Sequence, residues 1–174
     1  MYCLLKNNSW LKKVQLPAIY TIFCLAFTPF AYSQVNPTPA AERMQSMEQR
    51  RKLESNSLLK EVPFRNIGPS IMSGRVVDID ANPDDPTEFY VAYATGGLWH
   101  TTNNGQSFTP IMDSLDMLFI GDIAVNWATK TIWLGSGEVN SSRSSYAGVG
   151  MYKSMNNGKT WEYLGLPESH HIGK

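Results

Sequence analysis

One eight-residue pattern occurs twice in this chain. Residues 101–108 read TTNNGQSF, and residues 154–161, fifty-three positions later, read SMNNGKTW. Both copies place a hydroxyl residue, Asn, Gly, a second hydroxyl residue and an aromatic residue at the same five positions. A repeat with a period of about 40–50 residues is typical of propellers and other arrays, which build one small unit several times. The pattern therefore indicates a repeat architecture.

Short strand-like segments surround each copy of the pattern. They form two sets of four, separated by Gly, Asn, Asp and Pro, and the Asn-x-Gly centre precedes the last member of each set. Such a pattern of short segments and turn residues is typical of β-strands joined by tight turns. The sequence therefore predicts an all-β fold with two four-stranded propeller blades. The predicted strands span residues 75–80, 89–95, 98–102, 107–111, 121–127, 131–137, 150–154 and 160–166.

The residue types of the repeated pattern suit a structural hairpin. Its Asn can hydrogen-bond to the backbone of its own turn, and its Gly permits the positive φ that such turns need. The two hydroxyl residues can pair across the hairpin, and the aromatic ring can supply apolar bulk beneath it. We therefore assign the pattern to fold stability rather than to an active site. The assigned residues are Thr101, Asn103, Gly105, Ser107 and Phe108, and then Ser154, Asn156, Gly158, Thr160 and Trp161.

The first thirty-three residues differ from the rest of the chain. Three lysines and no acid precede an apolar run over residues 14–27, and Ala31 and Ser33 have the spacing of a signal-peptidase site. We predict a signal peptide at residues 1–33, cleaved after Ser33, with membrane contact only during export. The expected location is secreted, periplasmic or on the cell surface. A permanent membrane anchor is the alternative.

Removal of that segment decides which functions the composition allows. Both cysteines, Cys3 and Cys24, lie within it, so an apolar core and not disulfides must hold the remainder. Twelve Lys and Arg then stand against fifteen Asp and Glu, a net charge of −3. This balance leaves no basic patch for nucleic acid, which we exclude as a partner. We predict no cofactor and no metal site.

Residues 34–63 begin with prolines and continue with helix formers. Thr38 is a suitable N-cap and Pro39 a suitable first helical residue. We predict a linker followed by a surface helix that docks on the propeller, and a flexible leader is the alternative.

The repeated pattern resembles the Asp-box, also called the bacterial neuraminidase repeat, with Asn in place of the usual Asp. Longer phrases, among them FRNIGPSIMSGRVVDI, YVAYATGGLWHTTNNG and HHIGK, are similar to the start of large bacterial propeller proteins with a sortilin N-terminal domain, often labelled glycosyl hydrolase. The resemblance covers residues 64–174. It implies a secreted or surface-displayed module that binds peptide or protein ligands. The alternatives are a glycoside hydrolase of sialidase or xyloglucanase type, acting on carbohydrate, and a purely structural array.

The end of the sequence repeats the start of the second blade. Ile120-Gly121 opens that blade, and Ile172-Gly173 follows fifty-two positions later. We therefore expect residues 64–174 to hold two blades and the start of a third, with the remaining blades of a longer chain as partners. The second sheet would then expose apolar side chains to the next blade, and we expect these to be Ile123, Val125, Ile132 and Leu134.

A long loop after the sixth predicted strand is the candidate ligand-binding region. It is about ten residues longer than its counterpart in the first blade, and binding residues concentrate on such loops of a rigid scaffold. In a propeller blade this loop lies at the same end as the connection between blades. The candidate ligand-binding residues are Arg75, Glu138, Asn140, Arg143 and Tyr146. For Arg75 and Glu138 the alternative is an ion pair that joins neighbouring blades.

The same region lacks a complete set of groups for glycoside hydrolysis. That reaction needs two carboxyl groups about 5–10 Å apart, and Glu138 is the one acid that the sequence places well there. Xyloglucan hydrolases carry an Asp just before a Gly-Gly pair, where this chain has Ala94 and Thr95. No catalytic residue is assigned, and a hydrolase would need carboxylates from outside this region.

Overall fold

In the part of the chain that the structure describes, eight short strands form two four-stranded antiparallel sheets, each an up-and-down meander. The computed structural model describes residues 36–63, 74–139 and 145–174. The first sheet consists of β1 (Val76–Ala81), β2 (Phe89–Tyr93), β3 (Gly97–Thr101) and β4 (Thr109–Pro110), and the second of β5 (Ile120–Asn126), β6 (Thr131–Ser136), β7 (Met151–Ser154) and β8 (Glu162–Gly165). Every strand overlaps its predicted segment, so the predicted all-β fold with two propeller blades is confirmed.

The chain divides into two compact units. One is Met1–Pro37, of which the structure describes only Asn36 and Pro37, and the other is Thr38–Lys174. The predicted signal peptide at residues 1–33 lies outside the described residues, as do the loop residues Asn140 and Arg143.

The first strand of each sheet contains the same irregularity. In β1 the pairing register shifts between Val76 and Asp78, and in β5 it shifts between Ile120 and Asp122. A β-bulge of this kind adds one residue to one strand and redirects the side chains next to it. Asp78 and Asp122 therefore occupy equivalent positions on β1 and β5, which are neighbours across the two sheets.

The hydrophobic core includes one alternating face of β5 and β6. Ile123, Ile132 and Leu134 are buried in the same cluster as Tyr90 and Leu98 of the first sheet. The expectation that these three isoleucine and leucine side chains would be exposed is wrong, and Val125 is half-buried against the same cluster. Strand alternation separates two faces in the sequence but does not say which of them meets a given neighbour.

Polar contacts also join the two sheets. The carboxylate of Asp80 accepts hydrogen bonds from the backbone N–H of Val125 (2.9 Å) and from Nε1 of Trp127 (2.7 Å). Lys130 Nζ lies 2.9 Å from Glu88 Oε2. Because these bonds are directional, they hold the second sheet at a defined position against the first.

Among the described residues a helix, α1 (Ala40–Ser55), packs on the sheets. Its N-cap is Pro39, which offers no side-chain acceptor, so the predicted capping by Thr38 is not observed. Met47 reaches the core, and Arg51 makes a 2.5 Å ion pair with Asp116 in the connection between the sheets. Within the described ranges, no helix has the length and apolar character needed to cross a membrane.

Candidate ligand-binding site on the loop face

The two copies of the repeated pattern have the same hydrogen-bond network. Asn103 Oδ1 accepts from the Thr101 hydroxyl and from Ser107 N, both at 3.0 Å, and Asn103 Nδ2 donates to Ser107 Oγ at 2.8 Å. Around Asn156 the corresponding distances are 3.0, 2.9 and 2.8 Å. The hydroxyls were expected to pair with each other, but the Asn side chain lies between them and binds both.

The glycines of the pattern adopt the left-handed conformation. Gly105 has φ +79° and Gly158 has φ +81°, and the preceding Asn104 and Asn157 are also left-handed, with φ +57° and +61°. The backbone N–H of each glycine donates to the first hydroxyl of its own pattern, at 3.0 Å and 2.9 Å. These polar groups are thus engaged within their own hairpins, which makes the pattern a structural element of each hairpin. The end of the sheets that carries residues 101–108 and 154–161 is here called the hairpin end.

The aromatic residues of the pattern differ in their surroundings. Phe108 meets Phe89 edge-on, with 6.1 Å between ring centroids. Trp161 packs against the core and donates through Nε1 to the carbonyl of Ile111 at 3.0 Å. Trp161 therefore ties the second hairpin to the start of the connection after β4, whereas Phe108 packs within its own sheet.

The opposite end of the sheets, here called the loop face, carries the turn at residues 94–96, the end of the connection that leads to β5 and the described parts of the long loop at 137–150. Arg75 and Glu138 meet there. Nε of Arg75 donates to Glu138 Oε1 at 2.8 Å, and Nη2 donates to Oε2 at 2.5 Å. The Glu138 side chain is fully buried, and that of Arg75 is 49% exposed. The pair links the residue before β1 to the loop after β6, as the ion-pair alternative proposed.

The base of the long loop is held by a buried serine. Ser136 Oγ donates to the carbonyl of Gly150 (2.6 Å) and accepts from the backbone N–H groups of Val149 (2.8 Å) and Gly150 (3.0 Å). A side chain at Gly148 would collide with the backbone of Ser136, so glycine is required at that position. Ser136 was not predicted to have this role, although its place at the end of a strand before a long loop is a usable signal.

An aromatic pair lies on the loop face. The ring of Tyr146 stacks on Phe119 with 4.7 Å between centroids and an interplanar angle of 9°. Tyr146 is 46% exposed, and its carbonyl accepts a hydrogen bond from Glu138 N at 3.3 Å. The structure thus brings Arg75, Glu138 and Tyr146 to one region. Phe119 was missed because nothing in the sequence shows that it faces a residue of the long loop.

A cleft of about 570 Å³ continues from Phe119. Its lining includes Arg50 of α1, Thr95 of the turn after β2, and Asp113, Leu115, Leu118 and Phe119 of the connection between the sheets. A helix, a turn and a connection therefore converge on one concave surface. In the described part of the chain, no three His, Cys, Asp or Glu side chains are grouped as a metal site would need.

The sequence did not predict that Asp78 of β1 and Asp122 of β5 interact. Burial raises the pKa of Asp122, and the nearby charge and hydrogen bond of Asp78 raise it further. Lys174 Nζ lies 3.0 Å from Asp78 Oδ1. Asp78 lies on β1 and Asp122 on β5, so the two carboxyl groups belong to different sheets. Their contact is an inter-sheet interaction.

The comparisons with known proteins give a distant likeness. No protein-family model matches the chain, and no curated protein matches it. A solved GH74 xyloglucanase from Xanthomonas campestris is similar at 14% identity and a TM-score of 0.38, over 49% of this chain and 14% of that one. An ancestral GH74 enzyme is similar at 22% identity and a TM-score of 0.44, over 63% of this chain and 12% of that one. The match thus spans a small fraction of either enzyme, and the fold assignment rests on strand order and register.

Proposed function

We propose that this chain is part of a secreted or surface-displayed, sortilin-like propeller that binds a peptide or protein ligand on its loop face. The observation that carries the proposal is the half-exposed Tyr146, stacked on Phe119 beside a cleft of about 570 Å³. A rigid aromatic surface next to a concave lining suits side-chain recognition, because such rings supply contact area at little entropic cost. The Asp-box assignment of the repeated pattern belongs to the same proposal.

Two acids of the loop face, Glu138 and Asp116, are engaged in ion pairs, which favours binding over hydrolysis. Both oxygens of the buried Glu138 accept from Arg75, so this carboxylate is committed to an ion pair and is poorly placed to transfer a proton. Asp116 is likewise paired with Arg51. A hydrolase reading would need a general acid and a second carboxylate at a suitable separation, and neither of these two paired groups supplies one.

The test uses the full-length protein, a displayed library of random dodecapeptides and a panel of xyloglucan oligosaccharides. Tyr146→Ala should weaken the binding of the peptides selected on the native protein about tenfold, which corresponds to about 1.4 kcal/mol. Met155→Ala is the matched control, because Met155 is 67% exposed at the hairpin end. If no peptide is enriched and the oligosaccharides are bound or cleaved, the carbohydrate alternative replaces this proposal.

A further inference from the structure

The cleft beside Phe119 contains two acids with different partners. Asp116 is mostly buried and accepts from Arg51, whose Nε and Nη2 lie 2.7 and 2.5 Å from Asp116 Oδ2. Asp113 is exposed and makes no hydrogen bond or ion pair with the residues that the structure describes. One carboxylate of the cleft is therefore neutralised within the fold, and the other remains available.

The two arginines of α1 at the cleft differ in the same way. Arg51 forms an ion pair with the Asp116 carboxylate, whereas Arg50 donates through Nη1 only to the Asp116 backbone carbonyl, at 2.9 Å. A carbonyl does not neutralise a guanidinium, and within the described ranges Arg50 has no acidic partner. The lining thus presents one uncompensated cation, Arg50, and one uncompensated anion, Asp113.

Apolar surface accompanies these two charges. Leu115, Leu118 and Phe119 line the same cleft, and Leu118 is 38% exposed. The connection is held in place here, because the carbonyl of Leu118 accepts from Gly97 N at 3.1 Å. A ligand that fits this lining needs an apolar group together with opposite charges.

We infer that the cleft binds a dipolar peptide segment, with an acidic and a basic side chain flanking an apolar one. Its carboxylate contacts Arg50, its cationic side chain contacts Asp113, and its apolar side chain covers Leu118 and Phe119. Charge complementarity carries the inference, since a singly charged ligand would leave one of the two cleft charges without a partner. This inference rests on the proposed function and specifies its ligand.

Four end-blocked pentapeptides test it by calorimetric titration of the full-length protein. They are Gly-Glu-Phe-Arg-Gly and the versions with Gln in place of Glu, in place of Arg, or in place of both. We expect each charge to tighten binding about three- to fivefold, as for partly exposed ion pairs, and the preference to decline with added salt.

Two charge-removing variants assign the contacts. Asp113→Asn should abolish the preference for Arg and keep the preference for Glu, and Arg50→Gln should do the reverse. Asp84→Asn is the control, because Asp84 is an exposed acid in the turn between β1 and β2, at the hairpin end. Circular dichroism checks that each variant is folded.

The remaining outcomes contradict the inference in distinguishable ways. Equal affinity for all four peptides, or an equal loss for all four in either variant, would show that the two charges do not select the ligand. If none of the four binds while library-selected peptides do, the dipolar ligand is wrong and the proposed function stands. If neither set binds and oligosaccharides do, both proposals fall.

Discussion

The two sheets are nearly identical at one end and different at the other. At the hairpin end, the networks around Asn103 and Asn156 agree within about 0.1 Å in their three Asn contacts. At the loop face, the turn after β2 has three residues, at 94–96, whereas the loop after β6 has fourteen, at 137–150. Strand pairing needs the first feature and tolerates variation in the second, which is why we place the proposed ligand site at the loop face.

The largest expected effect tests whether the two hairpins are equivalent. Valine at Gly158 is strained at φ +81°, and its Cβ would lie 2.7 Å from Ile111 Cδ1 and 2.9 Å from Ile111 Cβ. We expect Gly158→Val to destabilise the protein by about 3–5 kcal/mol, from backbone strain and overpacking together. Chemical denaturation of the full-length protein measures the loss.

Two matched variants separate these causes. Gly105 has φ +79°, but a Cβ there would meet nothing closer than 3.5 Å, so Gly105→Val should cost about 1–2 kcal/mol from strain alone. Gln106→Val, at an exposed position without positive φ, should be mild. Equal losses for Gly158→Val and Gly105→Val would show that contact with Ile111 does not distinguish the hairpins.

The second effect concerns the loop face. Arg75→Met would leave the fully buried carboxylate of Glu138 without its partner. Unpaired buried charges typically cost about 3–5 kcal/mol, and since Arg75 is half exposed we expect about 2–3 kcal/mol. Thermal unfolding measures this loss, and the double variant Arg75→Met/Glu138→Gln should recover part of it. No recovery in the double variant would mean that Arg75 stabilises the fold by packing alone.

The smallest effect concerns Asp78 and Asp122, the equivalent acids of the two sheets. Burial and the neighbouring Asp78 raise the pKa of Asp122, so its protonated form contributes stability that is lost as pH rises through the folded-state pKa. Asp122→Asn removes this loss. It should stabilise the protein at pH 7 by less than about 1 kcal/mol, and by less still at pH 4. Melting temperatures between pH 4 and 8 test this, with Asp84→Asn as the control. A larger gain in melting temperature for Asp122→Asn at pH 4 than at pH 7 would contradict the expected pH dependence.

Prediction succeeded where the cause is local. The strands follow from alternation and turn residues, and the positive φ of Gly105 and Gly158 follows from the turn chemistry of four neighbouring residues. The predicted exposure of Ile123, Ile132 and Leu134 was wrong, because alternation defines the two faces of a strand but not which element packs against each face. Prediction also missed Phe119, whose partner Tyr146 lies twenty-seven positions away across a loop.

The sequence by itself determined the two four-stranded units, their hairpins and the unequal lengths of their loops, because each depends on residues close together in the chain. Only the tertiary structure decided which polar groups remain available. Glu138 is engaged by Arg75 and Asp116 by Arg51, while Asp113 and Arg50 have no charged partner in the described part of the chain. In a sequence, a paired Asp or Arg cannot be distinguished from an unpaired one. The availability of each charge depends on which partner the fold brings within reach, and that is a property of three-dimensional packing.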